Sequence, residues 1–371
     1  MGQENSPVVS VIVPARNEEA CLASCLESLV KQTGIPFEVI VVDDGSTDRT
    51  PEIARSFGAP QPDTVQEGMV SASPGTTPIE ARGFNTLVTV ISAPLLPQGW
   101  TGKNNAMAAG AKLASGKWLL FTDADTVHQP ASLAHAVAEA ERHGASLLSY
   151  SPEQEVRTLL EKALMPVIFA ELAAAYSPSK VSDPASPTAA ANGQYLLISR
   201  EAYDAVGGHA EVASDLLEDV AVARLVKSSG RRIRFRYGGD AVRTRMYRSW
   251  SQMKEGWTKN LALLFKHPLR RALTLLAMWA FAWITFGLGL AAIVAGSWKL
   301  AYWLPWIFVL YARIARARFR IVPNLAAVIF GIPLTAYLLL RSASRHRHGG
   351  VTWKGREYSA DLAKATHNLA L

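Results

Sequence analysis

Cysteine is nearly absent from this chain, since Cys21 and Cys25 are the only two among 371 residues. So few thiols exclude a disulfide framework and a zinc site, and both read as small buried hydrophobes on the first predicted helix. No apolar secretory segment is read ahead of the first predicted strand, so the N-terminal region is expected to be cytoplasmic. No nucleic-acid module is recognisable either, so the net charge of +7 does not point to DNA or RNA as a partner. Much of the basic excess flanks apolar segments, where it suits anionic headgroups. Long hydrophobic runs are missing from residues 1–271, which have ordinary globular patterning, whereas charge is missing from residues 272–297.

That second absence identifies a membrane region. A bilayer crossing needs about 20 apolar residues, and 272–297 exceeds it. Residues 298–312 are shorter and rich in Trp and Tyr, suited to spanning or lying at an interface. Residues 321–340 are long enough, but Pro323, Gly331 and Pro333 are placed to break them into a re-entrant hairpin. Basic clusters at 267–271, at 313–320, and at Arg341, Arg345 and Arg347 all favour the cytoplasmic side. Two crossings plus one re-entrant segment satisfy that rule, and three crossings do not. The chain therefore divides into a catalytic domain at 1–267, a membrane region at 268–341 and a basic cytoplasmic tail at 342–371. It is expected to be a multi-pass protein of the cytoplasmic (inner) membrane, with its catalytic domain facing the cytoplasm.

Within residues 1–267, continuous apolar strands alternate with helical patterns. Residues 8–13 read as a strand, 14–17 as a turn, and a helix begins near Glu18. Residues 37–42 repeat the design, ending in Asp43, Asp44, Gly45 and Ser46 before a helix that starts after Asp48 or Thr50. A third strand, in KWLLFTDADT at 117–126, delivers Asp123 and Asp125. Such βαβ units make an α/β fold with a mostly parallel sheet, whose ligands bind at the carboxyl ends of the strands. Residues 14–17, 43–46 and 123–125 then share one rim. Two acids separated by one alanine suit Mg²⁺ or Mn²⁺ carrying a diphosphate, although acid pairs after strands also serve as solvated turns or helix caps. Residues 59–82, rich in Pro, Gly, Ser and Thr, read as a flexible surface insertion.

The segments VSVIVPARNEE, VVDDGSTD, the DAD triplet and LLEDVAVARLVKSSG together resemble the inverting family 2 glycosyltransferases with the GT-A fold. Within that family GWTGKNNAMAAG, ANGQYLLISREAYDAVGGH, TRMYRSW and WKGREY look most like bacterial enzymes linked to carotenoid and hopanoid lipids. The resemblance implies a Rossmann-like GT-A domain followed by C-terminal transmembrane helices. It also implies transfer of a sugar, as in a hexosyltransferase, from a nucleotide-diphosphate donor, by resemblance a UDP-sugar, to a lipid.

On that reading Asp125, with Asp123, holds the metal, and Asp123 alternatively contacts the ribose. Asp44 accepts a hydrogen bond from the base, and Pro14, Arg16, Asn17 and Glu18 line the opposite wall. Lys103 is a point charge suited to phosphate, and Asn104 or Asn105 is placed to donate to a hydroxyl. Asp219, beside Glu218, is the general base, although acids at a helix start are favoured by its dipole in any case. Asn192 and Gly193 let backbone approach the donor sugar. Arg245 and Arg248 meet the diphosphate or the acceptor, or lie on the surface near the membrane. Trp353, Lys354 and Arg356 have the same two readings. The helical stretch 156–176, with Pro166 as a kink, lies on the membrane or packs on the catalytic core, and 177–188 reads as a lid or linker.

A polyprenyl phosphate is the second candidate acceptor. The QxxRW signature of processive polysaccharide synthases is absent, and two or three short spans offer little material for a channel. A nucleotidyltransferase would release pyrophosphate instead. From another class, an inactive nucleotide-sugar-binding membrane adaptor would not need the second acidic pair.

Overall fold

The structure, a computed structural model, describes residues 6–58, 88–297, 304–348 and 350–358. The predicted insertion at 59–82, the first part of the 298–312 segment and the tail beyond 358 lie outside the described residues.

The strands are β1 (Val9–Ala15), β2 (Phe37–Asp43), β3 (Val88–Ser92), β4 (Trp118–Phe121), β5 (Thr126–His128), β6 (Leu147–Ser151), β7 (Glu153–Gln154), β8 (Leu196–Ser199), β9 (Ile233–Tyr237), β10 (Val242–Thr244), β11 (Val351–Trp353) and β12 (Arg356–Tyr358). Among the described residues the main sheet is seven-stranded in the order β3-β2-β1-β4-β8-β6-β9. Only β8 is antiparallel to its neighbours, so the sheet is mixed and mostly parallel, as expected. A small sheet β5-β10-β7 and the hairpin β11-β12 complete it.

Both faces of the central strands are covered, which explains their unbroken apolar sequence. Val11, Val13, Val39, Val41 and Leu120 share a core with the helix Leu22–Val30. Ile12, Ile40, Val42, Leu119 and Phe121 face the opposite way, into a core with Ala106 and Met107 of the helix Gly102–Leu113. This alternation is the period of two that a strand imposes.

Two boundaries differ from the sequence reading. β1 continues to Ala15, through Pro14, because β4 leaves the ladder after Ile12 pairs with Phe121. The missing N–H of Pro14 therefore falls where a neighbour no longer needs it. The first helix starts at Leu22 instead of Glu18. The N–H groups of Glu18 and Glu19 are taken by Thr50 Oγ1 at 2.7 Å and Asp48 Oδ2 at 3.1 Å, so those residues belong to an inter-loop staple.

The apolar C-terminal region also differs in form. Helices Pro268–Val294 and Ile321–His348 are long and apolar enough to cross a membrane, with mean hydropathies of 1.9 and 1.8, and Trp306–Ala315 is a shorter apolar helix. The second long helix is continuous and extends into the predicted tail, so the break expected at Pro323, Gly331 and Pro333 does not occur. Pro323 lies in the first turn, where a missing N–H costs nothing. Residues Ala327–Gly331 form a π turn. A bond from the Val328 carbonyl to the residue five positions on would need the N–H that Pro333 lacks. The indole N–H groups of Trp279 and Trp283 donate to that carbonyl instead, at 3.0 and 3.4 Å, which satisfies it inside an apolar helix pair.

The helix Leu159–Ala175, with Pro166 inside it, buries Leu164, Met165, Val167 and Ile168 in the same cluster as Ala327, Val328 and Ile332. It therefore ties the sheet domain to the apolar helices. A Cβ on Gly331 would lie 2.0 Å from the Ala163 carbonyl, whereas one on Gly287 would meet nothing within 4 Å. Gly331→Ala must push the helices apart and lose about 1–3 kcal/mol, as overpacking does, so its melting temperature in detergent falls by several degrees. Gly287→Ala melts as the wild type does. Equal melting of the two variants would show that this contact does not hold the helices together.

Candidate functional site

The carboxyl ends of β1, β2 and β4 lie side by side, with Ala15 opposite Asp43. The loops that leave them are fastened to one another. Asn17 adopts a left-handed conformation, φ 52°, because its N–H donates to Ser46 Oγ at 3.0 Å while its Oδ1 accepts from Thr47 N at 2.8 Å. Asp43 turns back to accept from Ser46 N at 3.3 Å, so it caps its own turn. Asp44, only 7% exposed, faces inward.

Of the site residues singled out in the sequence, Pro14, Arg16, Asn17, Glu18, Asp44, Lys103, Asp123, Asp125, Glu218, Asp219, Arg245 and Arg248 line one cavity of about 630 Å³, whereas Asn104 and Asn105 do not. At its centre the Lys103 ammonium lies 2.7 Å from Asp123 Oδ1 and 2.7 Å from Glu218 Oε1. One cation thus joins two acidic pairs that are far apart in sequence. Burial alone would pull this ammonium down in pKa, but the two carboxylates hold it well above its usual value. Gly193 sits against this junction. A Cβ there would be 3.2 Å from Lys103 Nζ and 3.3 Å from Glu218 Oε1, and its own N–H donates to Asp219 Oδ2 at 2.8 Å.

Asp219 also accepts from Val220 N at 2.8 Å, in the first turn of the helix Glu218–Ser228. Burial pushes its pKa up to about 6, with Glu218 adding to the rise and Lys103 and the two N–H donors opposing it. Asp125 is pushed up to about 7, first by burial and then by Asp123 and Glu18. Its Oδ1 is buried without a hydrogen-bond partner among the described residues.

Several assignments change at this resolution of detail. Asn104 is fully buried and donates to the carbonyls of Val212, Ala213 and Asp215 at 2.6, 3.1 and 3.0 Å. Asn105 donates to the Pro94 carbonyl at 2.8 Å. Asn104 thus spends its side-chain donors on the loop that leads to Glu218, and neither asparagine lines the cavity. The Arg245 guanidinium is held by Glu161 at 2.7 Å, while the Arg248 side chain has no hydrogen bond or ion pair among the described residues. Arg16 Nη1 donates to the carbonyls of Asp44 and Gly45, so it shapes the wall.

Sequence reading left the tail undecided, and the structure brings it into the cavity. Trp353, Lys354, Gly355, Arg356 and Tyr358 are wall residues. Arg356 donates to both oxygens of Asp44, and Lys354 pairs with Glu18. The cationic WKGREY stretch was the available signal, but nothing in a linear reading connects it to acids more than 300 positions away. The helix Trp250–Leu264 was missed as a wall element altogether. It contributes Trp257, Lys259 and Asn260, with Lys259 Nζ lying 5.1 Å from the Trp353 ring centre.

A divalent cation fits these residues. Among the described residues no cluster of three or more His, Cys, Asp or Glu could hold a metal, so the protein offers no dedicated cage. Asp123 and Asp125 do offer a carboxylate pair with one orphaned oxygen and a raised pKa. Mg²⁺ is usually bound in this way, by one or two carboxylates with substrate phosphates and water completing the shell.

The family profile described as Glycosyl transferase family 2 matches residues 10–66 and 88–206. A 4,4'-diaponeurosporenoate glycosyltransferase of Staphylococcus aureus strain USA300 is 26% identical over 375 residues, covering 96% of this chain and 89% of its own. The same enzyme from strain MRSA252 is also 26% identical, over 369 residues, with the same coverage of 96% and 89%. Among solved structures, a mannosyltransferase of Pyrobaculum calidifontis in complex with GDP-Man and Mn²⁺ superposes with a TM-score of 0.47 at 17% identity, covering 92% of this chain and 87% of that one. A superposition this loose leaves the fold assignment to the sheet topology itself.

The raised pKa of Asp125 has a thermodynamic consequence. Because the carboxyl titrates higher in the folded chain than in the unfolded one, the stability it contributes is complete below the ordinary carboxylate range and is lost as pH rises through about 7. Asp125→Asn, without added cation, therefore melts higher than wild type at pH 8, and the gap closes toward pH 5. Saturating Mn²⁺ at pH 8 raises the melting temperature of wild type but not of the variant. A wild-type melting temperature indifferent to Mn²⁺ and Mg²⁺ would remove the metal assignment.

Proposed function

We propose that the chain is a glycosyltransferase of family 2, which its profile match and its relatives support, and that it moves a single sugar from a UDP-sugar to a membrane lipid, with inversion at the anomeric carbon and with Mg²⁺ or Mn²⁺ bound. The observation that carries this reading is the junction at Lys103, which gathers both acidic pairs around one opening. The wall beyond Asp219 is apolar, formed by Phe169, Leu172 and Tyr176 of the helix that packs on the membrane segments. A carotenoid or hopanoid-type acceptor suits that wall, and the Staphylococcus relative is named for a carotenoid acid.

Asp125 and Asp123 would hold the cation. When bound, it supplies positive charge against the diphosphate as the sugar departs. Lys103, within reach of Asp123, adds a second fixed charge on the same side. Asp44 takes the base of the donor, and Pro14, Arg16, Asn17 and Glu18 form the facing wall. Gly193 admits the sugar close to backbone. Asp219 accepts the proton of the acceptor hydroxyl on the face opposite the diphosphate, and attack from there inverts the centre. Glu218, fastened to Lys103, positions that helix start. Arg248, whose side chain has no hydrogen bond or ion pair among the described residues, is the candidate for an anionic group at the mouth, whereas Arg245 acts through its pairing with Glu161.

The organisation we propose keeps residues 1–267 as the catalytic domain in the cytoplasm and 268–341 in the membrane. Support comes from Glu171, 3% exposed, which binds both Arg271 and Arg313. These arginines flank different apolar helices, so the start of one and the end of the other meet the catalytic domain at the same level, as the positive-inside rule asks.

Asp219→Asn should lower kcat by about 10²–10⁴-fold, the usual worth of a positioned base, with donor KM little changed. In wild type, kcat/KM should rise with pH through about 6, where Asp219 ionises. Incubation with UDP-sugars and membrane lipid extracts, followed by mass spectrometry, identifies the product. Undiminished turnover by Asp219→Asn sinks the base assignment, and an inactive wild type that still binds UDP-sugar would be the adaptor.

A further inference from the structure

The donor wall is already in use by the protein's own tail. In the β11-β12 hairpin, Lys354 and Gly355 have φ values of 47° and 75°, the left-handed pair of a tight two-residue turn. The turn projects both flanking cations into the first two loops of the sheet. Arg356 Nη2 donates to Asp44 Oδ1 at 3.0 Å while its Nη1 donates to Oδ2. The Lys354 ammonium pairs with Glu18 and donates to the Arg16 carbonyl at 3.0 Å, and Arg16 Nε returns a bond to the Lys354 carbonyl at 3.3 Å. Room for this is built in, since a Cβ on Gly102 would lie 1.5 Å from Arg356 Nη1. The strands behind the turn are anchored by Val351 and Tyr358, buried against Leu216 just ahead of Glu218.

We propose that this hairpin is an autoinhibitory latch, in which Arg356 occupies the carboxylate that the base of the donor must reach, and that donor binding displaces it. The inference rests on the reading of Asp44 as the partner of the base. Asp44 is 7% exposed with both oxygens against the guanidinium, so an imide N–H has no open approach to it while Arg356 is in place, and the two occupants exclude each other. Exchanging an ion pair for a bond from a neutral N–H is unfavourable by itself. A diphosphate changes the balance, because the released Arg356 and Lys354 can then pair with it instead. The latch therefore yields to a nucleoside diphosphate and resists the nucleoside alone, which discriminates against fragments lacking the leaving group.

The test uses the full-length protein in detergent, with uridine and UDP as probes. Apparent affinity falls by the fraction of molecules that are competent, so a latch closed in about nine molecules of ten costs roughly tenfold. Arg356→Ala should bind uridine about tenfold more tightly than wild type by calorimetric titration, and unchanged or weaker uridine binding overturns the latch. Adding Asp44→Ala to that variant should abolish the gain. If it does not, the base assignment fails, separately from the latch. Hydrogen exchange of residues 351–358 in the wild type gives a measure free of mutation. Saturating UDP should speed exchange there, and unchanged or slower exchange overturns the proposal.

Discussion

One ammonium group holds this site together. Lys103 bonds to Asp123 from the β4 loop and to Glu218 from a helix start nearly a hundred residues later, in a cavity that also contains Glu18, Asp125 and Asp219. Without it, carboxylates from two elements would face each other with no cation between them, and like charges repel. Lys103 pairs with Asp123 and Glu218, and Lys354 with Glu18. Asp125 and Asp219 have no such partner among the described residues, and burial first, with the neighbouring acids adding, raises their pKa values. The cavity is thus strained toward taking up positive charge, which a metal-diphosphate ligand brings together with negative charge of its own.

The scaffold around Lys103 explains why its position is fixed. Thr101 caps the helix by accepting from Asn104 N at 3.2 Å, and Asn104 in turn holds three carbonyls of the segment at 212–215. The helix that carries the ammonium therefore also sets the approach to Glu218. Gly193 permits the backbone of the segment leading into β8 to close the third side. An inward side chain there would crowd Lys103 and Glu218.

Much of this was legible in the sequence, for a physical reason. Parallel strands buried on both faces write themselves as unbroken apolar runs, and their ligands gather at one end, so strands ending at Ala15, Asp43 and Phe121 announce a shared rim. The second acidic pair was identified through its resemblance to a family, because a helix start rich in acid is ambiguous by itself. What stayed hidden depended on partners that sequence does not display. Asn104 and Asn105 look like free donors until their carbonyl partners are known, and Arg245 looks like a phosphate ligand until Glu161 is placed beside it. The continuous helix at 321–348 survives its prolines because two tryptophans from another helix satisfy the Val328 carbonyl, a repair invisible to local rules.

Segments near 14–18 and 353–358, more than 300 residues apart, meet at the same few carboxylates. The hairpin follows the long helix Ile321–His348 with only a short connection, and that helix buries Ser342 against the helix Trp250–Leu264 through the Thr258 carbonyl at 2.6 Å. The Lys259 ammonium on the same helix lies over Trp353 of the hairpin. The helix Trp250–Leu264 therefore touches both the cavity, through Trp257, and the hairpin that covers Asp44, through Lys259.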